Sequence, residues 1–272
     1  MALVTPTVAF LVIVSFLVLA SGFGHVFSRR LGRPWFAALV CAGFIGVGAH
    51  LFCAWRPETV APLIAGTDLA LLYPGLGYAF GIVLLFILGP RAGARNHRAV
   101  SLFGGFVSIG VIWSVTGLLG DPALELGEEE WDGKCCLQST GWSCAPAAAC
   151  SLLRRVGVEA RESEMARLMR TRPHFGTDLL NMHRGLARKL RGNGYRVELR
   201  RLDYAGLVAA DAPCLVPIEL HFFMDHAMAV VDADAAGVSV LDPYSGPDWI
   251  PRDRFEEIWR MKALVVLPAE GE

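Results

Sequence analysis

Four stretches of this chain, residues 8–27, 35–55, 69–88 and 100–119, contain no Asp, Glu, Lys or Arg. No other feature restricts the fold so strongly. A hydrocarbon core ~30 Å thick is crossed by about 20 apolar residues in a helix, whereas a helix on the surface of a globular domain keeps a charged face. Barrel strands would alternate polar and apolar residues, and these runs do not. The sequence therefore predicts a four-helix transmembrane anchor over residues 1–120, with the lipid bilayer as a partner. His25 and His50 are the only groups within the runs that titrate near neutral pH, and both lie near ends, as do Trp35, Trp55 and Tyr73. The composition agrees: 54% of residues are hydrophobic, 19% are charged, and the mean hydropathy is +0.44.

Charge gives the expected orientation. Arg29, Arg30 and Arg33 follow the first apolar run, and no basic residue precedes it. That polarity is the reverse of a secretory signal, so the run reads as a retained span. Arg91, Arg95 and Arg98 lie between the third and fourth runs, while Arg56 is offset by Glu58 and Asp68 between the second and third. Basic loops stay in the cytoplasm. The expected localisation is thus the cell membrane, multi-pass, with the rest of the chain outside the cytoplasm. Glycines in the runs suit close helix packing, and the scarcity of ionisable groups argues against a transport path.

Residues 121–272 differ in kind. They hold 18 basic and 24 acidic residues, against seven arginines, one Glu and one Asp in residues 1–120. About 150 residues are enough to bury a core. A net negative domain is a poor nucleic-acid binder, and no phosphate-binding GxxxxGK[ST] loop occurs, which excludes nucleic acid and ATP as partners. Residues 121–133 read as an acidic linker. Helices are predicted over 143–156, with Ser143 as cap and Pro146 in the first turn, over 162–171, and over 177–190 with Thr177 as cap. Strands follow at 195–201, 214–219, 226–231, 238–241 and 264–267. Helices first and strands afterward predict an α+β domain with a mostly antiparallel sheet over 134–268.

The chemistry concentrates around Cys144. A cysteine at a helix amino terminus sits where the dipole and free backbone amides stabilise a thiolate. Gln138, six residues earlier across a turn containing Gly141, can aim its amide at the oxygen of an attacked carbonyl. His226 opens an apolar strand, and Asp242 ends the next one, where its carboxylate can orient the imidazole. A cysteine, a histidine and an acid in that order make a generic thiol-hydrolase set. His174, His183 and His221 compete for the base, and Asp232 and Asp234 for the acid. Cys135, Cys136, Cys150 and Cys214 do not form a zinc spacing, and their connectivity is open.

Gln138 and Cys144 at this spacing, the small-residue helix after them, Gly176-Thr177, Leu215-Val-Pro217-Ile, His226 leading a strand and Asp242-Pro243 together resemble the bacteriocin-processing peptidases, family thirty-nine of the papain-like cysteine peptidases. The resemblance covers residues 134–268. It implies a papain-like fold, with Cys144 as nucleophile, His226 as general base and acid, Asp242 as orienter and Gln138 as oxyanion donor. It also implies a peptide or protein substrate cut after a small pair such as Gly-Gly at the end of a leader, with no cofactor and no metal. Two departures stand out. Familiar members fuse the domain to an ATP-driven exporter, so an exporter here would be a separate partner; and the acidic residue usual before the cysteine is Ser143. An acyltransferase or amidase, or a module that binds the leader without cutting it, are the alternative readings.

Overall fold

The computed structural model describes residues 55–64, 121–221 and 224–269, with single positions at 38, 41, 45, 48, 51 and 52. The chain divides into two units, residues 1–56 with 71–120, and residues 57–70 with 121–272. The second unit carries nearly all of the described residues. Its elements are α1 (Pro57–Ile64), a 3-10 turn at Pro122–Leu124, β1 (Glu130–Asp132), β2 (Cys135–Leu137), α2 (Cys144–Arg155), α3 (Glu162–Met169) and α4 (Leu179–Leu190). They are followed by β3 (Tyr195–Arg201), α5 (Tyr204–Ala210), β4 (Cys214–His221), β5 (Met224–Ala233), β6 (Gly237–Asp242), β7 (Gly246–Pro251), α6 (Arg252–Ile258) and β8 (Lys262–Pro268).

The membrane expectation is corrected. The four apolar stretches lie outside the described residues, apart from scattered positions in the second. Among the described residues no helix is long and apolar enough to cross a membrane. The helix α1 runs for 8 residues, about 12 Å at the helical rise, well short of the ~30 Å required. It also carries Glu58, Thr59 and two prolines. The four-helix transmembrane anchor, the lipid bilayer as partner, the multi-pass cell-membrane localisation and the extracytoplasmic placement built on it are therefore not carried forward.

Six strands form one antiparallel sheet in the order β3-β8-β4-β5-β6-β7. This is the antiparallel α+β arrangement that the strand pattern predicts. Strand alternation separates its two faces. Val216, Met228, Val230, Val240 and Val265 pack with Tyr204 and Leu207 of α5 and with Phe255 and Trp259 around α6. Phe255 and Trp259 stack at 5.3 Å between ring centroids. Ala227 and Ala229 of β5 occupy the alternate positions, and α2 packs along this strand.

The helix α2 is buried at every position from Ala145 to Leu153. Four alanines within this run keep it narrow enough to lie between the sheet and α3. Pro146 falls in its first turn, where a missing N–H costs nothing. Arg154 and Arg155 close it in solvent, where the carboxyl end of the dipole favours positive charge. The cap of α4 is Asp178, whose side chain accepts the Asn181 amide at 3.0 Å; Thr177 instead bonds Thr171 through their hydroxyls at 2.8 Å.

Candidate active site

Cys144 is the first residue of α2 and is partly exposed. As the opening residue of the helix, its backbone N–H has no intrahelical carbonyl to reach and faces outward from the helix end. Ser143 before it occupies the cap position, but its side chain makes no cap bond to the helix. Instead Ser143 Oγ accepts from Thr140 N at 3.1 Å and Thr140 Oγ1 at 2.9 Å, and donates to Thr140 O at 3.2 Å. One donor and two acceptor sites fill the hydroxyl's capacity. The turn before the cysteine is thereby locked to itself.

His226 lies near the start of β5, and Asp242 ends β6, its neighbour in the sheet. Nε2 of His226 meets Oδ1 of Asp242 at 2.6 Å. The Cys144 thiol lies close enough to the same ring to act on its charge. With Nε2 committed to the carboxylate, Nδ1 is the ring atom left for sulfur. Burial pulls the imidazole's pKa down, but the Asp242 carboxylate and the Cys144 thiol outweigh it and carry it up to about 9. For Asp242, burial raises the pKa, yet the bonds from His226, from the Tyr244 amide at 2.8 Å and from Ser245 Oγ at 2.9 Å hold it below the usual carboxylate range.

The β1–β2 hairpin ties this corner to the loop before Cys144. The Cys135 thiol donates to the Asp242 carbonyl at 3.3 Å, and the Gln138 amide donates to the Pro243 carbonyl at 2.8 Å. Sequence reasoning missed this strap, because strands of three residues show no period to read. The remaining thiols differ from Cys144 in their surroundings. Burial pushes Cys135 up to about 11 and Cys214 up to about 12. A bond with Cys136, together with burial, raises Cys150.

The structure thus brings Cys144, His226 and Asp242 together. The expected four-membered arrangement, with Gln138 aimed at the substrate oxygen, is corrected. The Gln138 side-chain amide donates to the Thr140 carbonyl at 2.9 Å, within its own loop, and its Oε1 is buried without a hydrogen-bond partner among the described residues. The competing residues lie elsewhere. His174 is an exposed residue with φ +64. His183 is buried in α4 against the Val197 carbonyl at 3.2 Å, and burial lowers its pKa. His221 ends β4 at an exposed position. Asp234 caps the β5–β6 turn through the amides of Ala236 and Gly237, and Asp232 is exposed on β5. Among the described residues no group of His, Cys, Asp and Glu is placed to hold a metal ion.

The profile of the Peptidase C39 family matches residues 132–271. An uncharacterised protein of Methanothermobacter marburgensis is 32% identical over 133 residues, covering 47% of this chain and 84% of its own. An uncharacterised protein of Methanothermobacter thermautotrophicus is 29% identical, covering 48% of this chain and 85% of its own. The peptidase domain of Streptococcus ComA, a bifunctional ABC transporter of a quorum-sensing pathway, is 19% identical with a TM-score of 0.42, covering 49% of this chain and 96% of that one. A double glycine motif protease from an AMS/PCAT transporter, solved with its leader peptide, is 16% identical with a TM-score of 0.41, covering 53% and 94%.

Proposed function

Because the chain belongs to the Peptidase C39 family and is a cysteine peptidase acting on peptide bonds, we propose that Cys144 is its nucleophile, His226 its general base and acid, and Asp242 the carboxylate that orients the imidazole. The observation that carries this reading is the 2.6 Å bond from His226 to Asp242, with the thiol of a helix-opening cysteine at the same ring.

In this reading the Cys144 proton passes to Nδ1 of His226, and the thiolate attacks the scissile carbonyl carbon. Negative charge on the carbonyl oxygen is received at the amino end of α2. The donor is the backbone amide of Cys144. The imidazolium then protonates the departing amine, leaving a thioester. The neutral imidazole takes a proton from water as its oxygen attacks the thioester carbon; the C–S bond breaks, the acyl part leaves as a carboxylic acid, and the imidazolium returns the proton to sulfur. The three bonds that Asp242 accepts keep its carboxylate charged throughout, so it stabilises the imidazolium without taking its proton.

The test uses peptides whose scissile bond follows Gly-Gly, the site that the family resemblance implies, with products read by mass spectrometry. Cys144→Ala is expected to abolish turnover while leaving the circular dichroism spectrum unchanged. Turnover by that variant equal to the unsubstituted protein's refutes the assignment.

A further inference from the structure

The loop from Gln138 to Ser143 leads directly into the amino end of α2, and its position depends on where its backbone is tied. Gln138 N donates to the Pro243 carbonyl at 2.8 Å, and Thr140 N to Ser143 Oγ at 3.1 Å. Between them, Ser139 N donates to Oε1 of Glu162 at 3.1 Å. The first acceptor belongs to the turn after Asp242 and the second to the loop itself. The third comes from α3.

Glu162 is an unusual residue in that place. It is 2% exposed, and a carboxylate goes inside only when something there needs it. It opens α3, where the helix end favours a negative charge. Its own backbone amide is held by Glu129 Oε2 at 2.8 Å, and Glu129 also accepts the Trp131 indole N–H at 2.8 Å. The carboxylate is therefore anchored before it reaches Ser139. The Ser139 side chain adds no bond of its own here: its Oγ, like Gln138 Oε1, is buried without a hydrogen-bond partner among the described residues. Gly127 lies over Ser139 with no side chain of its own, and a Cβ there would already be 3.4 Å from Ser139 Cβ.

We propose that Glu162 is a positioning residue for peptide hydrolysis: by accepting the Ser139 amide it holds the 138–143 loop so that the backbone amides at the amino end of α2 meet the developing oxyanion. The inference rests on Cys144 as nucleophile. Glu162 touches neither sulfur nor substrate, so its loss acts on the stage where charge gathers on oxygen and leaves the thiol and His226 as they were.

Three variants separate the possible roles. Glu162→Ala removes the acceptor, Glu162→Gln keeps an acceptor oxygen without the charge, and Glu162→Asp keeps the charge at the helix end but withdraws the oxygen by one methylene. Three readouts are taken on each: kcat and KM on the Gly-Gly peptide, the rate at which iodoacetamide alkylates Cys144, and the Ki of a peptide aldehyde. Alkylation needs only the thiol and its histidine. The aldehyde reports the donors, because sulfur adds to its carbonyl carbon and the resulting oxygen lies where the oxyanion would.

The expected result is a fall in kcat of roughly 10- to 100-fold in Glu162→Ala, the scale of a misplaced catalytic group. KM and the alkylation rate stay within about twofold, aldehyde binding weakens in step with kcat, and Glu162→Gln recovers most of the loss. Should Glu162→Ala fail to fold, Glu162→Asp is expected to show the same split. An unchanged kcat overturns the proposal. So does a loss shared equally by turnover, alkylation and thermal stability, or a Gln variant as poor as Ala. Full turnover in Cys144→Ala is a different outcome, which removes the chemistry on which the proposal stands.

Discussion

Replacing Asp242 by Asn probes the electrostatics of the site with little change of shape. The imidazole of His226 is carried from an ordinary 6.5 up to about 9, a preference for the charged ring worth roughly 3 kcal/mol at 1.36 kcal/mol per pH unit. That balance is reached against burial, which acts the other way and is its largest component. Asparagine keeps an oxygen for the Nε2–H but takes away the charge, so burial is then opposed mainly by the Cys144 thiol. The ring should lose its proton at least about 2 pH units lower, near 7. At pH 8 the protonated fraction then falls from about nine tenths to about one tenth. The assay is the rate of Cys144 alkylation by iodoacetamide, together with kcat/KM, from pH 5 to 11. The unsubstituted protein should keep its imidazolium-dependent activity up to a limb near pH 9, and Asp242→Asn should show that limb near 7. A limb that stays within about 0.3 pH units of its original position refutes the assignment of the raised histidine to this carboxylate.

The same pair sets the dependence of stability on pH. His226 is raised on folding, so its contribution is complete below about 6.5 and is lost as pH climbs through about 9. Asp242 is lowered, so its contribution is present above 3.8 and is lost as pH falls through its depressed value. Urea unfolding should therefore show a maximum between about pH 4 and 6.5 for this interaction, and Asp242→Asn should flatten the decline between pH 6.5 and 10. Gly246→Ala should destabilise by about 1 to 2 kcal/mol, because φ is +93 there and a Cβ would come within 2.8 Å of Asp132 Oδ2; thermal melting measures it. Phe255→Ala should cost about 3 to 5 kcal/mol in urea unfolding, since the ring is 0% exposed between α6 and the sheet.

How far these features could be read in advance depended on the range of the interaction behind them. Strand β3 coincides with the predicted 195–201, where branched, aromatic and long side chains alternate in a run with no breaker. The neighbouring strands are longer than predicted, because pairing carries β5 on past the apolar run to Ala233. Besides α1, two short helices in the second half of the chain were not predicted. In α5 the sequence YAGLVAA carries a glycine and only 7 residues, and Asp203 caps it by accepting the Gly206 amide at 2.7 Å. In α6 the sequence RDRFEEI has one strongly apolar side chain, Phe255, whose burial against the sheet makes the helix worthwhile. Both owe their existence to tertiary packing, which no local period records. At the site, residue types and their order pointed to Cys144, His226 and Asp242. The turning of Gln138 toward Thr140 and the burial of Glu162 depend on elements distant in sequence.

Residue identity alone would not have separated Cys144 from Cys150, which lie in one helix six positions apart. Their surroundings separate them. Cys144 opens the helix, where peptide dipoles converge and an imidazolium stands by; Cys150 is 0% exposed within it, with its thiol against Cys136. A thiolate in the second position would need to shed its hydration, and the bond with Cys136 together with burial raises that thiol's pKa. The first position is partly exposed, at the helix end and beside His226. The alanines between them serve both conditions, since only a narrow helix can bury its middle on every side while leaving its first residue at the surface beside β5.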